Sequence, residues 1–276
     1  RELVRSVGRI QRDHPDFGEC VGVGVVVSGM VDLESGRIRY LPTLGWRDVD
    51  LLEPLKAAIG VPVVIENSVK ACVLAQVWAL GADVTGDGPI AFVHVSEGVG
   101  VGIAVDGKLL RGVNSIAGEL GHMALDMDGP RCSCGQSGCW EAYVSTRAIV
   151  ARYLGTDPNW PASAATREVT VTDIVDRARG GETHALETLR QTGLYLGRGI
   201  ATVIKAVDPR RVYLEGDITV AWDLIESTVR GVMREQALIK AAGETEIQTV
   251  ALGEHPRLRG AAALVSAPAF AAPIVA

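Results

Sequence analysis

The chain has 276 residues, 47% hydrophobic and 22% charged, with a formal net charge of −6. That length allows about two domains with a sizeable core. The acidic balance and the lack of a Lys/Arg run argue against a chain that grips nucleic acid by itself, so any DNA contact is expected outside it.

Residues 1–12 read as a charged helix, not as a secretory signal. This helix feeds directly into a buried strand over 21–28, so the chain looks as though it starts inside a fold. Gly29 makes a turn, and a short second strand follows around 36–40. The pattern predicts a helix over 48–59, a buried strand over 61–65, and a helix over 68–81 ended by glycine. Strands follow at 90–95 and 99–105, joined through Ser96–Gly98, and Asp106-Gly107 turns the chain into 108–111. Helices are expected over 145–153, 172–179 and 183–206, the last stopped by Asp208-Pro209. A strand at 211–214, a helix over 221–240, a strand at 246–252 and a helix over 258–266 complete the chain, and 155–170 is its long loop-like stretch. Such alternation predicts an α/β architecture. The apolar tail from Gly260 is too short for a membrane span and is broken by Pro268 and Pro273, so a packed terminal helix is expected and no membrane partner.

Five cysteines are present, and three of them, Cys132, Cys134 and Cys139, fall within eight residues. That spacing suits metal ligation better than a disulfide framework, and the compartment is expected to be cytoplasmic. Cys20 and Cys72 sit in apolar patterns and read as inert core thiols. His122 with the three clustered cysteines supplies one imidazole and three thiolates, a good match for a closed, structural, tetrahedral Zn2+ site. Unmetallated surface thiols and a catalytic zinc are the alternatives. Glycines at 129, 135 and 138 let the backbone wrap the ion.

The run Glu119-Leu-Gly-His122, followed by Cys132-Ser-Cys134-Gly-Gln-Ser-Gly-Cys139-Trp-Glu141, resembles the signature of the ROK family (repressors, open reading frames and sugar kinases). The resemblance extends to Gly29-Met-Val-Asp32, Gly45-Trp46, Pro62-Val-Val-Ile-Glu66-Asn67, Gly98-Val-Gly100-Val-Gly102, Asp106-Gly107-Lys-Leu-Leu-Arg-Gly112 and Arg259-Gly260-Ala-Ala-Ala. It implies an actin-like, hexokinase-type, two-domain α/β fold of the ribonuclease H-like kind, N-terminally truncated. The smaller domain would span 1–88, completed by 257–276, and the larger 89–256, carrying the zinc loop and dimerisation helices.

The resemblance also implies that sugar hydroxyls are held in a cleft by Asn67, Ser68, Glu119, His122 and Glu141, with Gly29 shaping its floor. Carboxylates and an amide are suited to reading hydroxyl stereochemistry. His122 would use one ring nitrogen for zinc and the other toward the sugar. Glu119 and Glu141 read alternatively as helix-end carboxylates or as partners of the zinc ligands.

Kinases of this family carry their general base in an Asn-Asp-Ala-Asn stretch, where this chain has Asn67-Ser68-Val69-Lys70. A serine cannot accept the proton at neutral pH, and base loss alone removes about 10²–10⁴ in rate. The phosphate loop reads Ser96-Glu97-Gly98-Val99-Gly100, placing a carboxylate where phosphates would sit. Glu215 replaces one of the paired glycines near the adenosine, and the N-terminal phosphate motif is absent. Together these departures imply no enzyme activity. The expected function is the effector-binding and oligomerisation portion of a sugar-responsive transcriptional regulator. It would bind DNA through an N-terminal helix-turn-helix outside this chain and act as a homodimer or homotetramer. The alternatives are an ATP-dependent, glucokinase-like sugar kinase, in which Asp32 or Glu66 replaces the base, and a binding protein with a decayed pocket. Lys70 is expected to be solvated, or else to favour an acidic ligand such as a sugar phosphate. Trp46, Trp78 and Trp140 are expected to pack rather than stack on sugar, and His14, His94, His184 and His255 to be structural or exposed.

Overall fold

A computed structural model describes residues 2–33, 35–41, 44–81, 88–158 and 168–270. Two compact units divide the chain. One comprises Arg1–Val84, Leu109–Ala117 and His255–Ala276, and the other Thr85–Lys108 and Gly118–Glu254. The stretch 109–117, expected in the larger domain, therefore groups with the first unit.

The first unit opens with α1 (Glu2–Asp13), followed by β1 (Val23–Val27), β2 (Met30–Asp32), β3 (Arg37–Leu41), β4 (Trp46–Asp50), α2 (Leu52–Ile59), β5 (Val63–Asn67) and α3 (Ser68–Leu80). Strands β1 and β5 pair in parallel, with Val27 opposite Asn67 at their C-terminal ends. Val25, Val31, Leu55, Val63 and Ile65 form the buried cluster beneath them, and Val4 of α1 packs against it.

Strand β4 departs from the sequence reading, which began a helix at 48. Its Val49 pairs with Ile38 and its Trp46 with Leu41 in an antiparallel sheet ordered β2-β3-β4. Only Val49 turns inward, so the alternation that announces a strand is nearly invisible. Cross-strand ion pairs instead hold the register, Arg37 to Asp50 at 2.7 Å and Arg39 to Asp48 at 3.1 Å. Opposite charges facing each other across a ladder stabilise pairing modestly.

The second unit contains β6 (Ile90–Val95), β7 (Val99–Val105), the first residue of β8 (Lys108–Leu109), α4 (Glu141–Val144), α5 (Thr146–Leu154), α6 (Val171–Arg179), α7 (Thr183–Val207), β9 (Arg211–Glu215), α8 (Trp222–Gln236), α9 (Lys240–Gly243) and β10 (Glu246–Thr249). Its sheet runs β10-β9-β6-β7-β8. Strands β6, β9 and β10 are parallel, and β6–β7 is an antiparallel hairpin. Strand β6 is apolar along almost its whole length because α/β sheets are covered on both faces. The helix expected over 221–240 stops at Gln236, and residues 240–243 form a separate short turn.

Helix α7 supplies the broadest apolar face, with Leu189, Leu196, Ile200, Val203 and Ile204 in the main core. Trp140 is fully buried against this helix, its indole N–H donating to the Tyr195 carbonyl at 3.0 Å. Its role is packing. Trp46 and Trp78 are partly exposed, at 37% and 47%.

The chain returns to the first unit as α10 (Pro256–Phe270). A Cβ on Gly24 would lie 1.9 Å from the carbonyl oxygen of Ala261, so β1 and α10 approach closely because position 24 has no side chain. Among the described residues no helix is long and apolar enough to cross a membrane.

Candidate functional site

The cysteine loop folds back on itself between a short 3₁₀ turn, Leu120–His122, and the start of α4. Isolated bridges join Ala124 to Cys139 and Arg131 to Ser137. Within the loop, the Cys132 amide donates to the Gln136 carbonyl and the Leu125 amide to the Gly138 carbonyl, both at 2.8 Å. Gly138 has φ +69°, and a Cβ there would lie 1.5 Å from the Asp126 carbonyl oxygen. Only glycine permits this closure.

The ligand atoms of His122, Cys132, Cys134 and Cys139 lie within 4.8 Å of one another. His122 Nδ1 is 3.6 Å from Cys132 Sγ, and Cys134 Sγ is 3.6 Å from Cys139 Sγ. A tetrahedral ion with metal–sulfur bonds of about 2.3 Å and metal–nitrogen bonds of about 2.05 Å requires S···S near 3.8 Å and N···S near 3.5 Å. Both measured separations match that geometry. Cys132 and Cys139 are buried, and Cys134 is exposed. Burial pushes the Cys139 thiol up to about 12, reinforced by hydrogen bonding to Cys134 and by the charge of Cys132. Three thiols so close cannot all ionise unless a cation compensates them. The four residues can therefore hold a metal, as the sequence spacing anticipated.

Glu141 follows this loop directly. One carboxylate oxygen accepts from the Val99 amide at 3.1 Å, and the other from the Ser133 hydroxyl at 3.0 Å and the Cys132 thiol at 3.5 Å. The carboxylate thus ties the cysteine loop to the β6–β7 turn. Beside it is a cavity of about 20 Å³, lined in part by Glu97, Arg131, Ser133 and Arg147. It has room for about one water. Glu119 is half-buried at the head of the 3₁₀ turn, where its carbonyl accepts from the His122 amide at 3.1 Å. Glu119, His122 and Glu141 are therefore gathered in the second unit around the metal loop.

Gly29, Asn67 and Ser68 gather in the first unit, at the carboxyl ends of β1 and β5. In open α/β sheets that is where ligands bind. The Asn67 side chain caps α3, its Oδ1 accepting from the amides of Val69 at 2.9 Å and Lys70 at 3.1 Å. Its Nδ2 donates to the Gly29 carbonyl at 3.0 Å. Both amide lone pairs are thereby used, leaving one N–H. Ser68 is buried, its hydroxyl 3.2 Å from that of Ser28. Glu66 is also buried, accepting from the Asn67 amide at 2.8 Å and from Arg111 Nε and Nη2 at 3.1 and 3.0 Å. Asp32 pairs with Arg39 at 2.6 Å, and the Ser35 amide and Arg39 hold its carboxyl below the usual range.

Lys70 departs from its sequence reading, whereas His94 has the structural role expected of it. Lys70 is 3% exposed and donates to the Ser115 carbonyl at 2.5 Å, so it is not a solvated lysine. His94 is bonded through Nδ1 to the Glu215 carboxylate at 2.5 Å, while Ser96 bonds Asp217 one step further along. Glu97 accepts from the Thr146 hydroxyl at 2.9 Å. Arg111 and Ser133 were absent from the predicted site.

The chain belongs to the ROK family, whose profile matches residues 2–267. Its fold is the actin-like α/β fold of the hexokinase-type sugar kinases. It is 30% identical over 249 residues to a xylose repressor of Bacillus spizizenii, covering 89% of this chain and 61% of that protein. It is 27% identical over 264 residues to a glucokinase of Halalkalibacterium halodurans, covering 93% and 79%. A solved structure described as a ROK family transcriptional regulator, a homologue of the E. coli MLC protein, matches with a TM-score of 0.81 at 25% identity, covering 96% and 67%. The chain thus spans about three fifths of the length of the xylose repressor it matches.

Proposed function

We propose that this chain is the effector-binding portion of a sugar-responsive transcriptional regulator that does not phosphorylate its ligand. The observation that carries the reading is Ser68. It stands where family kinases carry their base, its hydroxyl bonded to Ser28, while the neighbouring carboxylates of Glu66 and Asp32 are held by arginines. A general base must be free to accept a proton within hydrogen-bond reach of the attacking hydroxyl. Glu97 beside the β6–β7 turn adds negative charge where nucleotide phosphates would need the opposite. The resemblance to repressors supports the regulatory half of the reading.

In this reading Gly29, Asn67, Ser68, Glu119, His122 and Glu141 contact the sugar or sugar derivative. His122, Cys132, Cys134 and Cys139 hold a structural zinc that fixes the loop bearing Glu119 and Glu141. DNA is contacted by a helix-turn-helix outside this chain, in a cytoplasmic homodimer or homotetramer. The glucokinase relative supports the competing reading of a sugar kinase.

One experiment separates the two. The zinc-loaded chain is heated with a panel of sugars and sugar phosphates, and ATP turnover is followed in parallel. A ligand at about 100 times its Kd adds about 2.7 kcal/mol. At about 2–4 °C per kcal/mol that is a shift of several degrees. The expected result is a shift with one sugar class, lost in Glu119→Gln and Glu141→Gln, without turnover. Sugar-dependent ATP consumption at about 1 per second or faster, the ordinary kinase range, overturns the non-catalytic reading. A flat panel overturns the sensor.

A further inference from the structure

A second pocket lies within the second unit, next to the small cavity beside Glu141, with which it shares Ala142 and Pro158. It encloses about 200 Å³ and is lined by Pro130, Ala142, Tyr143, Ala148, Arg152, Thr156, Pro158 and Tyr195. None of the residues assigned to the metal or the sugar is among them. The volume exceeds the roughly 150 Å³ of an apolar cavity that holds a benzene, so one small ring and its substituent fit.

The walls are prolines, alanines, one threonine and two tyrosine rings, with one charged group. Tyr143 and Tyr195 stack with centroids 4.2 Å apart and planes 25° from parallel. Arg152 lies with its guanidinium carbon 5.5 Å from the Tyr195 ring centre. Its Nη1 donates to the Thr192 hydroxyl at 2.7 Å and its Nη2 to the Tyr143 carbonyl at 2.6 Å. Both partners are neutral, and among the described residues no carboxylate pairs with Arg152. Arg198, 5.8 Å from the same ring, adds a second cation with no carboxylate partner among them. Asp126, whose charge reaches Tyr143, already accepts from the Asp128 amide.

Arg152 is half-buried, and taking a guanidinium even partly out of water without a counter-ion is costly. Desolvation pushes the Arg152 pKa below its ordinary value, the direction expected of a cation lacking a compensating anion. The Thr192 and Tyr143 contacts fix the orientation of the fork while leaving three of its five N–H groups uncommitted. A carboxylate is the planar anion that matches such a fork. The stacked tyrosine pair and the Pro130 and Pro158 walls suit a flat apolar body attached to it.

We propose that this pocket binds a small carboxylate carried on a flat, apolar body, with Arg152 as its anchor and the Tyr143–Tyr195 pair as its wall. Because Pro130 belongs to the metal loop, its carbonyl accepting from the Gly138 amide at 2.8 Å, an occupant would bear directly on that loop. The proposal does not depend on what the sugar-binding residues do.

The test is calorimetric titration of the full metal-loaded chain with benzoate, its neutral isostere benzamide, and inorganic phosphate. Benzoate is expected to bind at least about tenfold more tightly than either, the discrimination that one charge-assisted hydrogen bond supplies. Arg152→Met is expected to weaken benzoate at least about tenfold while leaving benzamide unchanged. If Arg152→Met does not fold, Arg152→Lys and Tyr195→Leu each remove one half of the recognition and should each weaken benzoate. Equal binding of benzoate and benzamide, or failure of benzoate to bind, overturns the proposal. Phosphate binding as tightly as benzoate overturns the part played by the apolar wall. Unchanged benzoate affinity in Arg152→Met reduces Arg152 to a clamp between α5 and α7 and overturns the site.

Discussion

Replacing Asn67 by alanine separates two roles that the sequence alone merges. The side chain accepts from two amides in the first turn of α3 and donates to the Gly29 carbonyl. Loss of an N-cap of this kind costs about 1 kcal/mol, within a range of about 0.5–2. Loss of the Nδ2 bond, which leaves the Gly29 carbonyl without this donor, costs about another 1 kcal/mol. Asn67→Ala should therefore lose about 2 kcal/mol with no ligand present, a fall of about 4–8 °C in Tm. Asn67→Asp keeps the two cap acceptors but turns a carboxylate oxygen toward the Gly29 carbonyl, so it should recover less than half of that. Ligand-free urea or thermal denaturation of the three proteins measures the series. If Asn67→Ala melts with the parent, the side chain is not stabilising α3, and its position reflects ligand contact alone.

Metal removal and pH should interact with opposite signs. Binding requires the thiols to lose their protons, so the metal-loaded chain should lose stability and release metal as pH falls. The metal-free chain should behave differently. Cys139 is raised from 9.0 to about 12 in the fold, so its contribution is complete below pH about 9 and disappears as pH rises toward 12. Paired melting curves across pH, with and without chelator, check both slopes, and parallel slopes would contradict a thiolate-bound metal. Arg111→Ala leaves the Glu66 carboxylate, only 3% exposed, without its counter-ion. Because Arg111 is itself 38% exposed and Glu66 keeps the Asn67 amide, the loss is that of one charge-assisted contact, about 1–3 kcal/mol, and denaturant midpoints should fall accordingly. Arg111→Ala combined with Glu66→Gln should regain much of the loss, and equal stability of the single and double variants would refute the pairing.

The metal cluster was legible in the sequence because its four ligands lie within one loop, where spacing and glycine placement alone decide whether side chains can converge. The α/β alternation and most elements were legible for the same reason, since local periodicity reports which face is buried. Strand β4 was missed because charged residues hold it at a sheet edge, and no alternation of apolar residues records an Arg–Asp ladder. The helix-capping use of Asn67 could have been read from its place before an apolar helical run, but the bond to Gly29 joins residues 38 positions apart. Lys70 against Ser115, Glu66 against Arg111 and His94 against Glu215 are longer-range still. The sequence by itself determined the family signature, a His–Cys cluster able to hold a metal, and the absence of a carboxylate at position 68. Which charges are buried and what neutralises them were decided by tertiary structure alone. Coulombic and desolvation terms depend on distance in space, and residues far apart in the chain carry no mark of their future neighbours.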